Sequence, residues 1–251
     1  MFDLQGKVAI VTGARSGIGQ AISVALAQAG VSVMGVGTKP MPETRALVEG
    51  QGVGFAEMQV DLSEPSIENF DRIVETTVDS FGKIDILINN AGLRRRGACL
   101  EYQEADWDAV MNVNLKSLFF LTQRVGKQFF KQGDGGKVVN IASLLSYQGG
   151  FRTPAYVSTK SAVAGLTKSF ANEWAGQGIN VNAVAPGYVA TEGTLALQED
   201  KVRNEQILVR IPAGRWGQPE DIGGPVVFLC SPMANYIHGT VLQVDGGWMG
   251  R

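Results

Sequence analysis

Seven apolar runs, at positions 7–12, 31–36, 53–60, 84–89, 137–142, 179–185 and 240–244, alternate along the chain with segments of helical periodicity. Short β-branched runs separated by amphipathic helices leave one economical arrangement, parallel strands joined by helical crossovers that cover both faces of the sheet. The predicted fold is therefore α/β, a single doubly wound parallel sheet with helices on both faces. At 251 residues and 45% hydrophobic content the chain suits one such domain over 1–251, and no repeat or linker divides it. Its 32 glycines are scattered, as many tight strand-to-helix turns require, and form no low-complexity tract.

Charge narrows the partners. Twenty-two basic residues against 24 acidic ones leave a formal charge of −2, and no long basic stripe suggests a nucleic-acid or anionic-lipid surface. The first strand starts by Lys7, which leaves no room for a signal peptide, and no apolar run approaches the roughly 18 residues of a membrane helix. A cytoplasmic protein with a small-molecule partner, neither nucleic acid nor membrane, is the expectation. Cys99 and Cys230 are isolated, and with His238 alone beside them there is no zinc ligand set, so both cysteines read as packing residues and no metal is expected. A Ser-His-Asp triad would have to use His238, whose neighbours in NYIHGT suggest a turn or edge.

In such sheets ligands collect beyond the carboxyl ends of the strands. The first of those ends carries KVAIVTGARSGIGQAISVALAQAG, a β-branched run, a glycine-rich turn and an amphipathic helix. Gly13, Gly17 and Gly19 allow a tight turn and close approach to a pyrophosphate, which the free N–H groups and positive end of the helix would meet. Arg15, Ser16 and Ile18 complete this Rossmann-type loop, although the spacing Gly-x-x-x-Gly-x-Gly departs from the commoner Gly-x-Gly-x-x-Gly. Asp61, Asn89 to Gly92, Ser143 and Pro186-Gly187 also follow apolar runs, so all converge on one cleft.

Tyr156 and Lys160 in TPAYVSTKSAVAGL are one helical turn apart and share a face. A phenol near its ordinary pKa of about 10 is a poor acid or base at neutral pH, and a cation beside it favours the phenolate. Many surface helices carry such a pair without purpose, but few carry it downstream of a nucleotide-binding turn.

TGARSGIG, NNAG at 89–92, NVNL at 112–115, Ser143, Tyr156-x-x-x-Lys160 and PG at 186–187 together resemble the short-chain dehydrogenase/reductase family across essentially the whole chain. The resemblance implies a nicotinamide cofactor, NAD(H) or NADP(H), and a catalytic set of Asn114, Ser143, Tyr156 and Lys160. Tyr156 would exchange a proton with the substrate oxygen, Ser143 would hold that oxygen, Lys160 would lower the tyrosine pKa and hold the ribose, and Asn114 would support Lys160 through a water. Cofactor contacts are implied at Asp61, Leu62, Asn89, Ala91 and Gly92 for the adenosine side. Pro186, Gly187, Val189 and Thr191 would serve the nicotinamide side, with Tyr156 and Lys160 at its ribose. At the end of the second strand an acid would select NAD, and the sequence there is VMGVGTKP. Thr38 and Lys39, with Arg15, permit a 2′-phosphate, so the choice between cofactors stays open.

Stretches such as NNAGLRRRGACLEYQEADWDAVMN and ASLLSYQGGFRTPAY resemble the sugar-acid branch of the family, the 2-deoxy-D-gluconate 3-dehydrogenase and 2-dehydro-3-deoxy-D-gluconate 5-dehydrogenase type. A guanidinium fork suits a carboxylate, so Arg95, Arg96 and Arg152 are candidate substrate contacts with Ser143, Gln148 and Tyr156, while Arg94 reads equally well as a solvated loop residue. The weakly periodic segment at about 188–211 reads as a substrate lid, with Trp216 anchoring its far edge. A 3-oxoacyl thioester reductase or general carbonyl reductase is the alternative enzyme, and a non-catalytic dinucleotide sensor the alternative of another class, although such a sensor would be expected to have lost the tyrosine or lysine. The resemblance also implies a homotetramer, assembled through the long helices around 103–131 and 154–177 and the C-terminal strand.

Overall fold

The computed structural model describes residues 4–251. Its strands are β1 Val8–Thr12, β2 Ser32–Gly37, β3 Phe55–Gln59, β4 Ile86–Asn89, β5 Gly136–Ile141, β6 Ile179–Pro186 and β7 Val241–Val244. They form one sheet in the order β3-β2-β1-β4-β5-β6-β7, and every pairing is parallel. The strand order reverses between β1 and β4, which opens a crevice at their carboxyl ends. Each of the seven apolar runs became a strand, with ends shifted by at most two residues.

Side chains alternate across the sheet as the strand period requires. In β1, Ala9 and Val11 join a core beneath helices α1 (Gly17–Gln28) and α9 (Glu220–Cys230), with Val48 of α2 (Pro42–Glu49), while Ile10 joins the opposite core. That second core packs α3 (Ile67–Phe81), α5 (Leu118–Gln132) and α6 (Pro154–Trp174) through Phe70, Ile73, Leu121, Phe129 and Phe170. Helices α1 and α9 approach so closely that a Cβ at Gly223 would lie 2.8 Å from the Ala25 methyl, so a glycine is needed there.

The two ends of the sheet are chemically unlike. At the amino end Asp85 accepts hydrogen bonds from Lys7 Nζ and Val8 N and also pairs with Lys83, which makes it a partly buried support of the sheet. His238 lies at this end too, bonded to Asn180 and Asn235 and remote from the carboxyl-end cleft. Between the ends, Asn89 and Asn140 are fully buried in a polar chain running from Thr122 to Thr167, satisfied by one another at 2.8–2.9 Å.

One expectation fails. Cys99 was expected to pack inside, but it sits exposed on a short 3₁₀ turn, whereas Cys230 is buried at the end of α9. Burial pushes the Cys230 thiol up to about 12. Among the described residues no helix is long and apolar enough to cross a membrane, and no group of potential ligands could hold a metal ion. Ellman's reagent should therefore titrate one thiol in the native protein and two in denaturant. Two reactive thiols in the native state would contradict the packing of α9.

Candidate active site

The cleft lies over the carboxyl ends of the strands and encloses about 430 Å³. Its floor begins with the turn after β1. Gly13 and Gly17 hold left-handed φ values of 67° and 55°, and a Cβ on Gly19 would lie 2.1 Å from the Gly13 carbonyl, so this turn admits no side chain there. Ser16 caps α1 without a side-chain hydrogen bond, and the first turn carries no acid, which leaves the helix N–H groups open to an anion. Thr44 donates to the carbonyls of Ala14 and Arg15, fixing the loop from α2. The cradle thus fits a dinucleotide diphosphate.

Beside it, Asn90 donates from Nδ2 to the carbonyls of Thr12 and Gly13, while the Thr12 hydroxyl accepts from Asn90 N and Ala91 N. The adenosine role expected of the Asn89 side chain is not supported, because its amide nitrogen is spent on Thr122 and Asn140 inside the sheet. Asn90, which sequence reasoning passed over, lines the cleft instead. The signal was available: side chains alternate at a strand end, so if Asn89 points into one core, Asn90 must leave it. Asp61 bends back to accept from Ser63 N and Oγ, which holds its carboxyl below the usual range. Leu62 is buried with its carbonyl bonded to Ser117, and Gly92 borders the cleft.

Ser143 ends the β5 segment in extended conformation, and Tyr156 and Lys160 rise from the first turns of α6. All three line the cleft. Lys160 is 3% exposed and donates from Nζ to the Ile141 carbonyl at 2.6 Å, with Nζ 5.6 Å from the Tyr156 ring centre. Burial pulls its amine down to about 8. Burial also pushes the Tyr156 phenol above its ordinary value, opposed first by the charge of Arg94 and then by a hydrogen bond with Ser143. The Lys160 amine is thus directed at the Ile141 carbonyl, with the phenol ring beside it.

Asn114 falls in a π-helical stretch, Asn112–Ser117, between α4 (Glu104–Met111) and α5. The wider turn points Asn114 inward, where Oδ1 accepts from Leu93 N and Nδ2 donates to Leu93 O and Thr159 Oγ1. Its direct partners are therefore the β4 loop and the residue before Lys160, not Lys160 itself.

At the nicotinamide side Pro186, Gly187, Val189 and Thr191 all line the cleft. Thr191 caps a short 3₁₀ turn, and its methyl lies 3.4 Å from where a Cβ of Gly17 would be, so the loops after β1 and β6 face each other. At the end of β2, Thr38 and Lys39 are exposed and Arg15 is exposed beside the turn. The acid paired to β2, Glu57, is committed to Met41 N and to Arg45.

The arginines separate. Arg95 pairs with Asp106 at 3.4 Å and is absent from the cleft lining, which corrects its expected substrate role: the nearby α4 carboxylate draws it away. Arg94 instead enters the cleft, donating from Nη2 to the Gly193 carbonyl at 2.8 Å. Arg96 and Arg152 stand at the rim, outside the lining itself, and Arg152 holds a left-handed φ of 58°. Gln148 lines the cleft, its Oε1 accepting from Trp248 Nε1. The segment at 188–211 is not irregular: it carries helices α7 (Leu195–Glu199) and α8 (Lys201–Leu208), and Trp216 donates to Asn204 of α8.

A doubly wound sheet with a diphosphate cradle and a Tyr–Lys–Ser cluster, its lysine buried, at one cleft defines an NAD(P)-dependent oxidoreductase acting on CH–OH groups. Residues 13–249 match the family model described as Enoyl-(Acyl carrier protein) reductase. The 2-dehydro-3-deoxy-D-gluconate 5-dehydrogenase of Dickeya dadantii is 51% identical over 100% of this chain and 98% of its own, and its namesake in Bacillus subtilis is 51% identical over 100% and 97%. A crystal structure from Agrobacterium tumefaciens with bound NADP, provisionally assigned as a 2-deoxy-D-gluconate 3-dehydrogenase, superposes with a TM-score of 0.94 at 51% identity, covering 100% of this chain and 99% of that one. The chain belongs to the short-chain dehydrogenase/reductase family.

Lys160 generates a prediction with a definite sign. Its folded pKa of about 8 lies below the ordinary 10.5, so the unfolded chain holds the extra proton between those values and native stability rises with pH through that window. Below it, the charged amine costs about 3 kcal/mol. Against Lys160→Met, which lacks the group, wild type should gain about that much unfolding free energy between pH 7 and 10.5 in urea titrations. A pH-independent difference would show that the amine is not desolvated.

Proposed function

We propose that the protein interconverts a hydroxyl and a keto group of a deoxy sugar acid, as a 2-dehydro-3-deoxy-D-gluconate 5-dehydrogenase or a close relative acting on keto-deoxy uronates. The observation that carries this reading is the coincidence, in one cleft, of the Ser143–Tyr156–Lys160 cluster with Arg94, a cation able to meet a carboxylate. The names of the relatives that match the whole chain support it. A thioester reductase would share the catalytic cluster, and a guanidinium there would have to meet a carrier phosphate instead of a substrate carboxylate.

A bound nicotinamide supplies the hydride. Gly13, Gly17 and Gly19 would admit its diphosphate, and Lys160, beside Tyr156, would take the ribose hydroxyls. Thr191 and Val189 would meet the carboxamide. Tyr156 gives its proton to the carbonyl oxygen in reduction and reclaims it in oxidation, while Ser143 holds that oxygen in place. Arg94 is the charge that lowers the phenol pKa against burial, so it serves acid/base chemistry as well as substrate binding. Asn114 positions α6 through Thr159 and the Leu93 loop.

NADP(H) is the preferred cofactor in this reading. No acid is free at the end of β2, and Lys39 and Arg15 stand exposed where a 2′-phosphate would lie. The NADP-bound relative agrees. Residues 188–211 form the lid, hinged where Ala190 N and Gly217 N bond Gly217 O and Tyr188 O across an isolated bridge. A cytoplasmic homotetramer is proposed, its contacts using the partly exposed Leu115 of the π-helical stretch with Phe119 and Phe120 of α5 and Leu166 of α6.

Tyr156→Phe should lower kcat by about 10²–10⁴-fold while nicotinamide fluorescence reports unchanged cofactor affinity. Most of the rate surviving would remove Tyr156 from the acid/base role. Lys39→Glu should raise KM for NADPH by about tenfold or more and leave NADH unaffected or improved, since a carboxylate repels the 2′-phosphate. Turnover of wild type, followed by nicotinamide absorbance with a keto-deoxy uronate and with an acetoacetyl thioester, decides the substrate class.

A further inference from the structure

Gln148 lines the cleft, and a short 3₁₀ turn at the end of the chain, Trp248–Gly250, decides which end of its amide does so. The Trp248 indole nitrogen donates to Gln148 Oε1 at 3.4 Å, across 100 residues of sequence. An indole N–H donates and cannot accept, so the amide must turn its oxygen towards Trp248. Its nitrogen is then the end left for the cleft. Among the described residues no hydrogen bond involves Gln148 Nε2, whose two N–H groups are both available.

A bond of that length orients its acceptor only if the donor is held still, and the indole is clamped. Trp248 is 5% exposed and shares a small apolar core with Leu144, Ile207, Ile211 and Trp216. The Tyr188 ring packs against it at 4.8 Å between centres, and the Arg210 guanidinium lies over it at 3.9 Å. The backbone around it is pinned as well. Asp245 accepts from Gly247 N and Met249 N, both at 2.9 Å, and Ala213 N donates to the Gly246 carbonyl at 2.9 Å. A Cβ on Gly246 would lie 2.8 Å from the Ile211 Cγ2 methyl, so this turn sits directly on the chain that leaves the lid. Gln148 is anchored to the same core from its own side, since its N–H donates to the Leu144 carbonyl at 3.2 Å.

In the proposed reaction Ser143 and Tyr156 attend the oxygen that reacts. The Gln148 amide, further along the segment that begins at Ser143, brings two N–H groups to the same cleft and so addresses a different oxygen. A hydroxyl or carboxylate oxygen of a sugar acid accepts from an amide N–H, whereas the methylene hydrogens of an acyl chain do not.

We infer that Trp248 is a positioning residue for substrate recognition: its N–H holds the Gln148 amide with the nitrogen towards the cleft, where it donates to a substrate oxygen other than the one that reacts. The inference rests on the sugar-acid reading and deepens it, by assigning the contact that reads an oxygen-bearing carbon beside the reacting one. Without the indole donor the amide is free to turn and must be ordered each time substrate binds, which weakens binding without touching the proton or hydride transfer.

The test is a double-mutant cycle on Trp248→Phe and Gln148→Ala, with reduction of a keto-deoxy uronate by NADPH followed by nicotinamide absorbance. Phenylalanine keeps a ring against Tyr188 and Arg210 and removes only the donor, and NADPH titration by nicotinamide fluorescence checks that the variants retain the folded cleft. Each single variant should raise KM about three- to tenfold, as the loss of one hydrogen bond does, with kcat within about twofold of wild type. Because Trp248 acts through Gln148, the double variant should be no worse than Gln148→Ala alone. An unchanged KM in Trp248→Phe, KM increases that multiply in the double variant, or a fall in kcat as large as the rise in KM would each overturn the inference. Gln148→Glu gives a reading that needs no change at Trp248: it leaves the indole an acceptor but turns an oxygen to the cleft, so its KM should exceed that of Gln148→Ala, and a KM near wild type would show that the substrate meets the amide oxygen instead. Should wild type reduce only the acetoacetyl thioester, the sugar-acid reading fails, and the same cycle run on the thioester decides the orientation of Gln148 by itself, non-multiplying KM increases upholding it and multiplying ones sinking it.

Discussion

The structure depends on one knot of hydrogen bonds at the carboxyl ends of β1 and β4. There the strand order reverses, the two chains diverge, and backbone groups that would pair in a regular sheet lose their partners. The Thr12 hydroxyl and the Asn90 amide take their place, bonding Asn90 N, Ala91 N, Thr12 O and Gly13 O. Without that substitution the crevice would either close or expose unsatisfied buried groups at about 1–3 kcal/mol each. With it, the glycine turn lies beside an open cleft, and every functional side chain is placed relative to that opening.

Burial governs the chemistry inside. It pulls the Lys160 amine down to about 8 and pushes the Tyr156 phenol up, so a helix-turn pair that would titrate normally on a surface is shifted in both of its members. The countervailing positive charge at the phenol comes from Arg94, a residue of the β4 loop. In the proposed reading substrate recognition and acid/base tuning share that residue, which links how firmly a carboxylate is held to how readily the phenol ionises.

Much of the fold was legible because its signals are local. Strand positions followed from apolar runs, the tight turn after β1 from glycines in a conformation that other residues rarely adopt, and the Tyr156–Lys160 juxtaposition from the pitch of a helix. The arginines were legible only as a group. That Arg95 would pair with Asp106 while Arg94 entered the cleft depends on where α4 lies, which no spacing in the loop reveals. Asn89 and Asn90 were confused for a similar reason: one residue of strand register decides which faces the core and which faces the cleft. Cys99 was misplaced because a three-residue turn on the surface carries no periodic signature.

The sequence by itself determined the α/β class, the strand boundaries, the glycine turn after β1 and the Tyr156–Lys160 pairing on one helical face, since each is set by interactions spanning a few residues. Tertiary structure alone decided the direction of the pKa shifts and which arginine entered the cleft. Those depend on burial and on distances between segments far apart in the chain, where electrostatic energy varies with the packing rather than with the spacing.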